Sequence, residues 1–242
     1  MLYVLFQACG GAYAGEGKGR QAVEKLRQLG VHVFKDTASG QVTEIVANGN
    51  RAIADEHMAV LAGFPGLTDI SLEGTRVGSE GMRQLKVLRK LEWLNLYRCK
   101  VGDAGIRHLS AMKNLKLLPI GRSGLTDAGL VHLGRMEQLE YLGLRGNDIS
   151  GKGMIHLARL KKIKALHLGE TQVDDEGIKH LAGLVRLEKL WLHDTRVTDE
   201  AIERIATFSR LREIDLRNTP VSAEGATRLR ALLPECNVMH SG

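Results

Sequence analysis

The chain has 242 residues, 43% hydrophobic and 4% aromatic, with 34 Lys and Arg against 28 Asp and Glu and a formal net charge of +6. That length allows one large or two small domains, and so few aromatics suit a core of Leu, Ile and Val; the charge leaves a polyanion partner open but says nothing of fold. Three cysteines, Cys9, Cys99 and Cys236, odd in number and far apart, imply no disulfide framework, and no apolar run reaches the roughly 18 residues of a membrane helix.

Residues 1–16 are rich in Gly and Ala and are expected to form a flexible N-terminal segment. Met1–Phe6 is apolar but too short, and lacks the basic flank, for a secretory leader. Phe6-Gln7-Ala8-Cys9 only faintly matches a lipoprotein cleavage box, so a cytoplasmic location is favoured. The order of apolar run, Gly10–Gly19 and helix mimics a phosphate-binding loop. Its spacing fails at Ala12, where the first glycine belongs, and at Gly19, where a metal-binding hydroxyl belongs.

Residues 17–66 read as an N-terminal cap. Ala22, Val23, Leu26 and Leu29 share one face of a helix over 18–29, and Gly30 stops it. Val31–Lys35 and Gln41–Ala47 read as a β-hairpin around Asp36-Thr37-Ala38-Ser39-Gly40. The second strand opens a degenerate repeat, Val42–Gly66, with one extra residue near Asn48-Gly49-Asn50.

Residues 67–242 hold seven units of 24 residues, starting at Leu67, Leu91, Leu115, Leu139, Ile163, Leu187 and Leu211, and a short C-terminal cap. A fixed period of this kind means a solenoid, in which each unit buries its apolar side only by stacking on its neighbours. Within a unit, apolar residues at positions four and six (Leu94 and Leu96, for example) alternate with polar or aromatic ones, as a strand requires. Position nine holds Thr75, Cys99, Ser123, Asn147, Thr171, Thr195 or Thr219, small groups able to satisfy the backbone of the turn behind the strand. Thr126, Ser150, Asp174, Thr198 and Ser222 offer helix N-caps, with Asp127, Asp175 and Asp199 in the first turn, where the helix dipole favours anions. Gly81, Gly105, Gly129, Gly153, Gly177 and Gly225 recur at position fifteen, with Ala201 the exception. Glycine in a helix costs about 1 kcal/mol, so its recurrence points to close approach by a neighbouring backbone. Pro234 ends the last helix, and Cys236–Met239 is expected to add a short final strand.

The pattern, written out as Leu125-Thr126-Asp127-Ala128-Gly129-Leu130 and Val173-Asp174-Asp175-Glu176-Gly177-Ile178, resembles the leucine-rich repeat family over about residues 42–233. It is most similar to the ribonuclease-inhibitor-like or cysteine-containing type, in its bacterial 24-residue form. The resemblance implies an α/β leucine-rich repeat solenoid: a right-handed β-α superhelix with a parallel concave sheet and convex helices. It implies no enzyme activity and no cofactor, and a protein as the usual partner. F-box relatives add an N-terminal helix bundle, which residues 1–41 are too short and Gly-rich to supply.

If positions four and six face the core, positions three, five and seven face the hollow side. That places Trp93, Tyr97, Tyr141, Arg145, His167, Lys189, Trp191 and His193 on the concave face, with Arg98 and Arg122 at the ends of their strands. Trp, Tyr and Arg are the side chains that most often anchor interfaces, so these ten residues are the expected protein-binding row. Three further groups invite chemical readings. His167, His193 and Asp215 fall on consecutive strands but carry no metal-ligand spacing motif, so no metal is expected. His108, His132, His156 and His180 recur one per helix and lie too far apart for one ion. Cations including Arg89, Lys113, Lys116, Lys161, Lys164 and Arg212 collect where helices end and strands begin. They suit helix C-termini, or form a basic edge for a polyanion, which is the alternative reading of function.

Overall fold

A computed structural model describes residues 16–241. Apart from Glu16, the flexible segment expected at 1–16 lies outside the described residues, as does the lipoprotein-like box. The last glycines of the loop-like run, Gly17 and Gly19, are helical, within α1 (Glu16–Gln28).

The period-two alternation becomes one ten-stranded sheet whose strands follow chain order. β1 (His32–Lys35) and β2 (Val42–Val46) form the antiparallel hairpin, with Gly40 at φ 67° closing its turn. β3 (Asp69–Ser71), β4 (Trp93–Asn95), β5 (Leu117–Pro119), β6 (Tyr141–Gly143), β7 (Ala165–His167), β8 (Lys189–Trp191) and β9 (Glu213–Asp215) belong to the seven repeats. β10 (Asn237–Met239) is the expected final strand and pairs parallel with β9. From β2 onward every pairing is parallel, and position four stacks on position four: Leu118 on Leu142, Leu142 on Leu166, Leu166 on Leu190.

Helical segments return the chain between strands: α2 (Met58–Ala62), α3 (Ser79–Leu85), α4 (Gly102–Leu109), α5 (Asp127–Leu133), α6 (Asp175–His180), α7 (Ile202–Ile205) and α8 (Ala223–Leu232). The fourth repeat departs from this, with a 3₁₀ run over Gly151–Arg159. Its first turn contains Gly151 and Gly153, which disfavour an α-helix. Its N-cap hydroxyl, on Ser150, donates to Asp127 but accepts no bond from its own turn. The parallel crossovers wind the chain as a right-handed α/β solenoid. Its core is a continuous apolar column from α1, through Leu26 and Ile45, to Leu229 and Val238.

Position nine does what its residue types imply. Thr75, Ser123, Thr171, Thr195 and Thr219 each donate a hydroxyl to the carbonyl three residues back, at 2.6–2.7 Å. Cys99 instead donates to Leu72 O of the preceding repeat, at 2.9 Å. Asn147 bridges both, to Ile120 O and Leu144 O.

The first-turn aspartates have a second role that periodicity does not reveal. Each reaches forward to the next repeat. Thr126 donates its backbone N–H and hydroxyl to Asp103, Ser150 to Asp127, Thr198 to Asp175 and Ser222 to Asp199, all between 2.6 and 2.9 Å. This carboxylate crowds position fifteen, although Ala201 is accommodated beside Asp175. A Cβ on Gly129, Gly153 or Gly225 would lie 2.1–2.4 Å from the preceding aspartate's Oδ1. The expected backbone approach occurs where that carboxylate is missing: Gly177 faces the Cα of Gly151, and Gly105 that of Ser79.

Candidate functional site

Position three forms one row in direct register across the sheet: Glu44, Asp69, Trp93, Leu117, Tyr141, Ala165, Lys189, Glu213 and Asn237. Positions five and seven supply the rest of the hollow face. Both tryptophans point there, outside the packed core and partly buried. The middle of the row is apolar over four strands, Trp93 to Ala165, and Leu117 at its centre remains 39% exposed. Sequence reasoning missed Leu117, because a leucine on a leucine-rich chain carries no flag until its face is known.

Glycines shape the floor. The Tyr97 ring lies over Gly121, where an added Cβ would come within 2.9 Å of it. Tyr141 lies over Gly143 and His193 over Gly169 in the same way. Rings that cover glycine backbone are held flat against the sheet. Between them is a recess of about 200 Å³, with Tyr97, Pro119, Gly121, Tyr141 and Gly143 along it, Glu73 and Asn95 toward the N-terminal end, and Arg145 and His167 toward the other. Burial in this wall pushes the Tyr141 phenol above its ordinary pKa. A larger depression of about 570 Å³ lies at the N-terminal cap among Arg20, Val23, Lys35 and Phe64, off the concave row.

Position eight is uniformly left-handed. Gly74 and Gly146 have φ near 66°, and Arg98, Arg122, Glu170, Asp194 and Asn218 hold φ of 51–59°. A left-handed non-glycine residue costs roughly 1–2 kcal/mol, and strain of this kind tends to gather at binding surfaces. Here it turns Arg122 and Glu170 toward one another. Glu170 accepts from both Arg122 and Arg145, and the bond from Arg145 is the main cause of its lowered carboxylate pKa. Arg98 lies 5.3 Å from the centroid of the Tyr97 ring, in cation–π contact.

The C-terminal part of the row is tied together. Trp191 donates its indole N–H to Glu213 at 2.9 Å, and its ring meets His167 edge-on at 5.3 Å and Tyr141 at 6.5 Å. His167 and His193 rings are 5.2 Å apart. His193 Nδ1 lies 3.2 Å from Asp215, though poorly aligned for a hydrogen bond. The Asp215 side chain is only 2% exposed. Burial raises its pKa, but the paired guanidinium bonds of Arg217, at 2.9 and 2.7 Å, and the Arg217 backbone N–H outweigh that and hold it below the usual value. Burial, with His193 and Arg145 nearby, pushes His167 down to about 4. Lys189 pairs with Glu213 at 3.1 Å.

All ten expected partner-binding residues thus sit on the concave face or its rim, but Lys189 and Trp191 are bonded to Glu213, Arg122 and Arg145 to Glu170, and the His167 and His193 rings lie against each other. The trio with metal-ligand geometry is also not the one sequence position suggests. Asp215 is committed to Arg217, whereas donor atoms of Glu170, His193 and Asp194 lie within 4.8 Å of one another. Glu170 already serves two guanidiniums, whose charge opposes a cation there.

Comparison with known proteins agrees with this geometry. A family model described as Leucine Rich repeat matches residues 138–158 and 159–182. The sheet with its alternating helices also superposes on internalin C2 of Listeria monocytogenes, with TM-score 0.69, 22% identity, and coverage of 83% of this chain and 81% of that one. The chain has the leucine-rich repeat fold. Among other leucine-rich repeat structures, it is similar to a protein of Leptospira interrogans (TM-score 0.50, 19% identity, 74% of this chain and 56% of that one). It is also similar to the ectodomain of the Arabidopsis thaliana receptor kinase GASSHO1/SCHENGEN3 in complex with CASPARIAN STRIP INTEGRITY FACTOR 2 (TM-score 0.58, 16% identity). It covers 86% of this chain, which spans only 25% of that ectodomain. No curated protein sequence matches the chain. Among the described residues, no helix is long and apolar enough to cross a membrane.

Proposed function

We propose that this protein is a non-enzymatic leucine-rich repeat recognition module that receives a protein partner on its concave face, centred on β4–β7. The observation that carries this reading is the in-register row Trp93, Leu117, Tyr141 and Ala165, an apolar patch lying across a polar sheet face. Contiguous exposed apolar surface rimmed by charge is a mark of interaction sites, and a Trp and a Tyr held against a rigid sheet lose little entropy on contact. The plant receptor ectodomain, with its bound factor, supports a protein ligand by analogy of fold alone.

The alternative, a polyanion held by the basic edge, has less support. Position two alternates in sign along that edge: Glu92, Lys116, Glu140, Lys164, Glu188, Arg212. Lys116 pairs with Glu92 at 2.8 Å and Lys164 with Glu140 at 2.7 Å, so part of the cationic charge is neutralised within the chain.

The test is capture of a partner from the source cell, followed by binding to a folded Trp93→Ala/Leu117→Ala/Tyr141→Ala variant. The expected result is loss of binding by about 100-fold or more, as for removal of central anchors. Undiminished binding by the folded variant would remove the concave face from consideration. Capture that weakens steeply with salt but ignores these substitutions would favour the basic edge.

A further inference from the structure

The recess on the concave face has unlike ends. Toward the N-terminus, Glu44 and Asp69 stand side by side in register, and Glu73, four residues beyond Asp69, lines the recess itself. Among the described residues none of the three carboxylates has a cation within ion-pair distance: Asp69 accepts from Thr68 and Glu73 from Asn95. Toward the other end, Arg122 and Arg145 share the single carboxylate of Glu170. The Arg145 bonds use Nε and Nη2, so its Nη1 edge is unspent. Between the ends run the two tyrosines over their glycines, in a volume of about 200 Å³. That is small for a drug-sized ligand, which needs roughly 300 Å³ or more, but ample for one large side chain.

We propose, resting on the concave-face reading above, that the occupant is an extended segment of a partner protein bearing one basic and one acidic residue on either side of an apolar anchor. The basic residue meets Glu73. The anchor fills the recess between Tyr97 and Tyr141. The acidic residue meets Arg145. Glu73 and Arg145 belong to the first and fourth repeats, and three strand spacings of about 4.8 Å separate their strands by roughly 14 Å. An extended chain advances about 3.4 Å per residue, so the two charges fall about four positions apart.

The experiment is selection of a displayed library of random linear peptides on the full chain, then fluorescence anisotropy with the enriched peptides. Enriched sequences are expected to carry Lys or Arg about four positions from Asp or Glu, with an aromatic or aliphatic residue between. Replacing the peptide's basic residue with Ala should weaken binding about 10-fold on the natural chain, and far less on a Glu73→Gln variant. Replacing its acidic residue should do the same on the natural chain and far less on Arg145→Gln. Such double-mutant cycles assign each charge to its mate. Peptides that lose binding with Tyr141→Ala but show no charge order, or no coupling to Glu73 and Arg145, overturn the pairing and leave the concave site standing. Peptides indifferent to Tyr141→Ala and Leu117→Ala, or no enrichment at all, overturn both.

Discussion

Trp93 and Trp191 lie on the same sheet face, four strands apart, in different physical states. Trp191 gives its indole N–H to Glu213 and wedges its ring against His167 and Tyr141, in a stretch where Lys189, Glu213, Asp215 and Arg217 also pair within the chain, although His167 Nε2 and His193 Nδ1 make no hydrogen bond. The Trp93 side chain makes no hydrogen bond or ring contact among the described residues, and it stands between the exposed Leu117 and Asp69, whose carboxylate has no ion-pair partner. The C-terminal part of the face behaves as a second, polar core; the central and N-terminal parts are left with unspent surface. Availability, more than residue type, separates a binding surface from a decorated one.

The sharpest test of this contrast is to remove a carboxylate from each part. Asp215→Ala should destabilise the fold by about 2–3 kcal/mol, since it removes the acceptor of the paired guanidinium bonds and of the backbone N–H of Arg217. Denaturant unfolding should show this as a lower midpoint with an unchanged slope.

A pH effect comes next. His167 stays neutral in the fold down to about 4, while an unfolded histidine takes its proton near 6.5. The unfolded chain therefore binds more protons across that window, so the contribution of neutral His167 to stability is full above the upper value and is lost as pH falls toward the lower one. The loss should be about 2 kcal/mol once solvent screening of the partly exposed ring is allowed for. His167→Gln should flatten the stability curve over this window. An unaltered curve would mean that the ring titrates as if in water.

Trp191→Phe keeps the ring and removes the bond to Glu213, and should cost about 1 kcal/mol in thermal or denaturant unfolding. The smallest effect belongs to the other part of the face. Asp69→Ala should change stability by less than about 0.5 kcal/mol, because nothing in the fold relies on that charge as an ion pair. A cost as large as that of Asp215→Ala would abolish the distinction between the two parts.

Much of this architecture is legible from spacing. Period two locates the strands, the Leu and Ile positions locate the core, and the small polar residue at position nine locates the turn that needs a donor, down to Cys99 and Asn147. Concave membership of Trp93, Tyr141 and His167 follows from strand alternation alone. What spacing cannot show is which lateral neighbours meet. Glu213 lies 22 residues beyond Trp191 and Glu170 lies 25 beyond Arg145, so whether each pair closes depends on side-chain reach across strands. The forward grip of Asp103 on Thr126 hides for a similar reason: a first-turn aspartate already has a sufficient local explanation in the helix dipole. The left-handed turn at position eight is hidden where Arg98, Arg122 and Glu170 occupy a place that Gly74 and Gly146 would have advertised.

The joints between repeats are of two kinds, and this bears on the shape of the hollow. Where an aspartate reaches forward, as from Asp103 to Thr126 and from Asp127 to Ser150, a carboxylate stands between consecutive helix starts like a shim. Where it is absent, at Ser79 and at Gly151, only backbone intervenes and the outer layer closes up. Strand spacing on the inner side is fixed by the hydrogen-bond ladder, so shimmed joints bend the stack and closed joints straighten it. Repeats two to four form a shimmed block with a closed joint on each side, and the recess at Tyr97 and Tyr141 lies within that block.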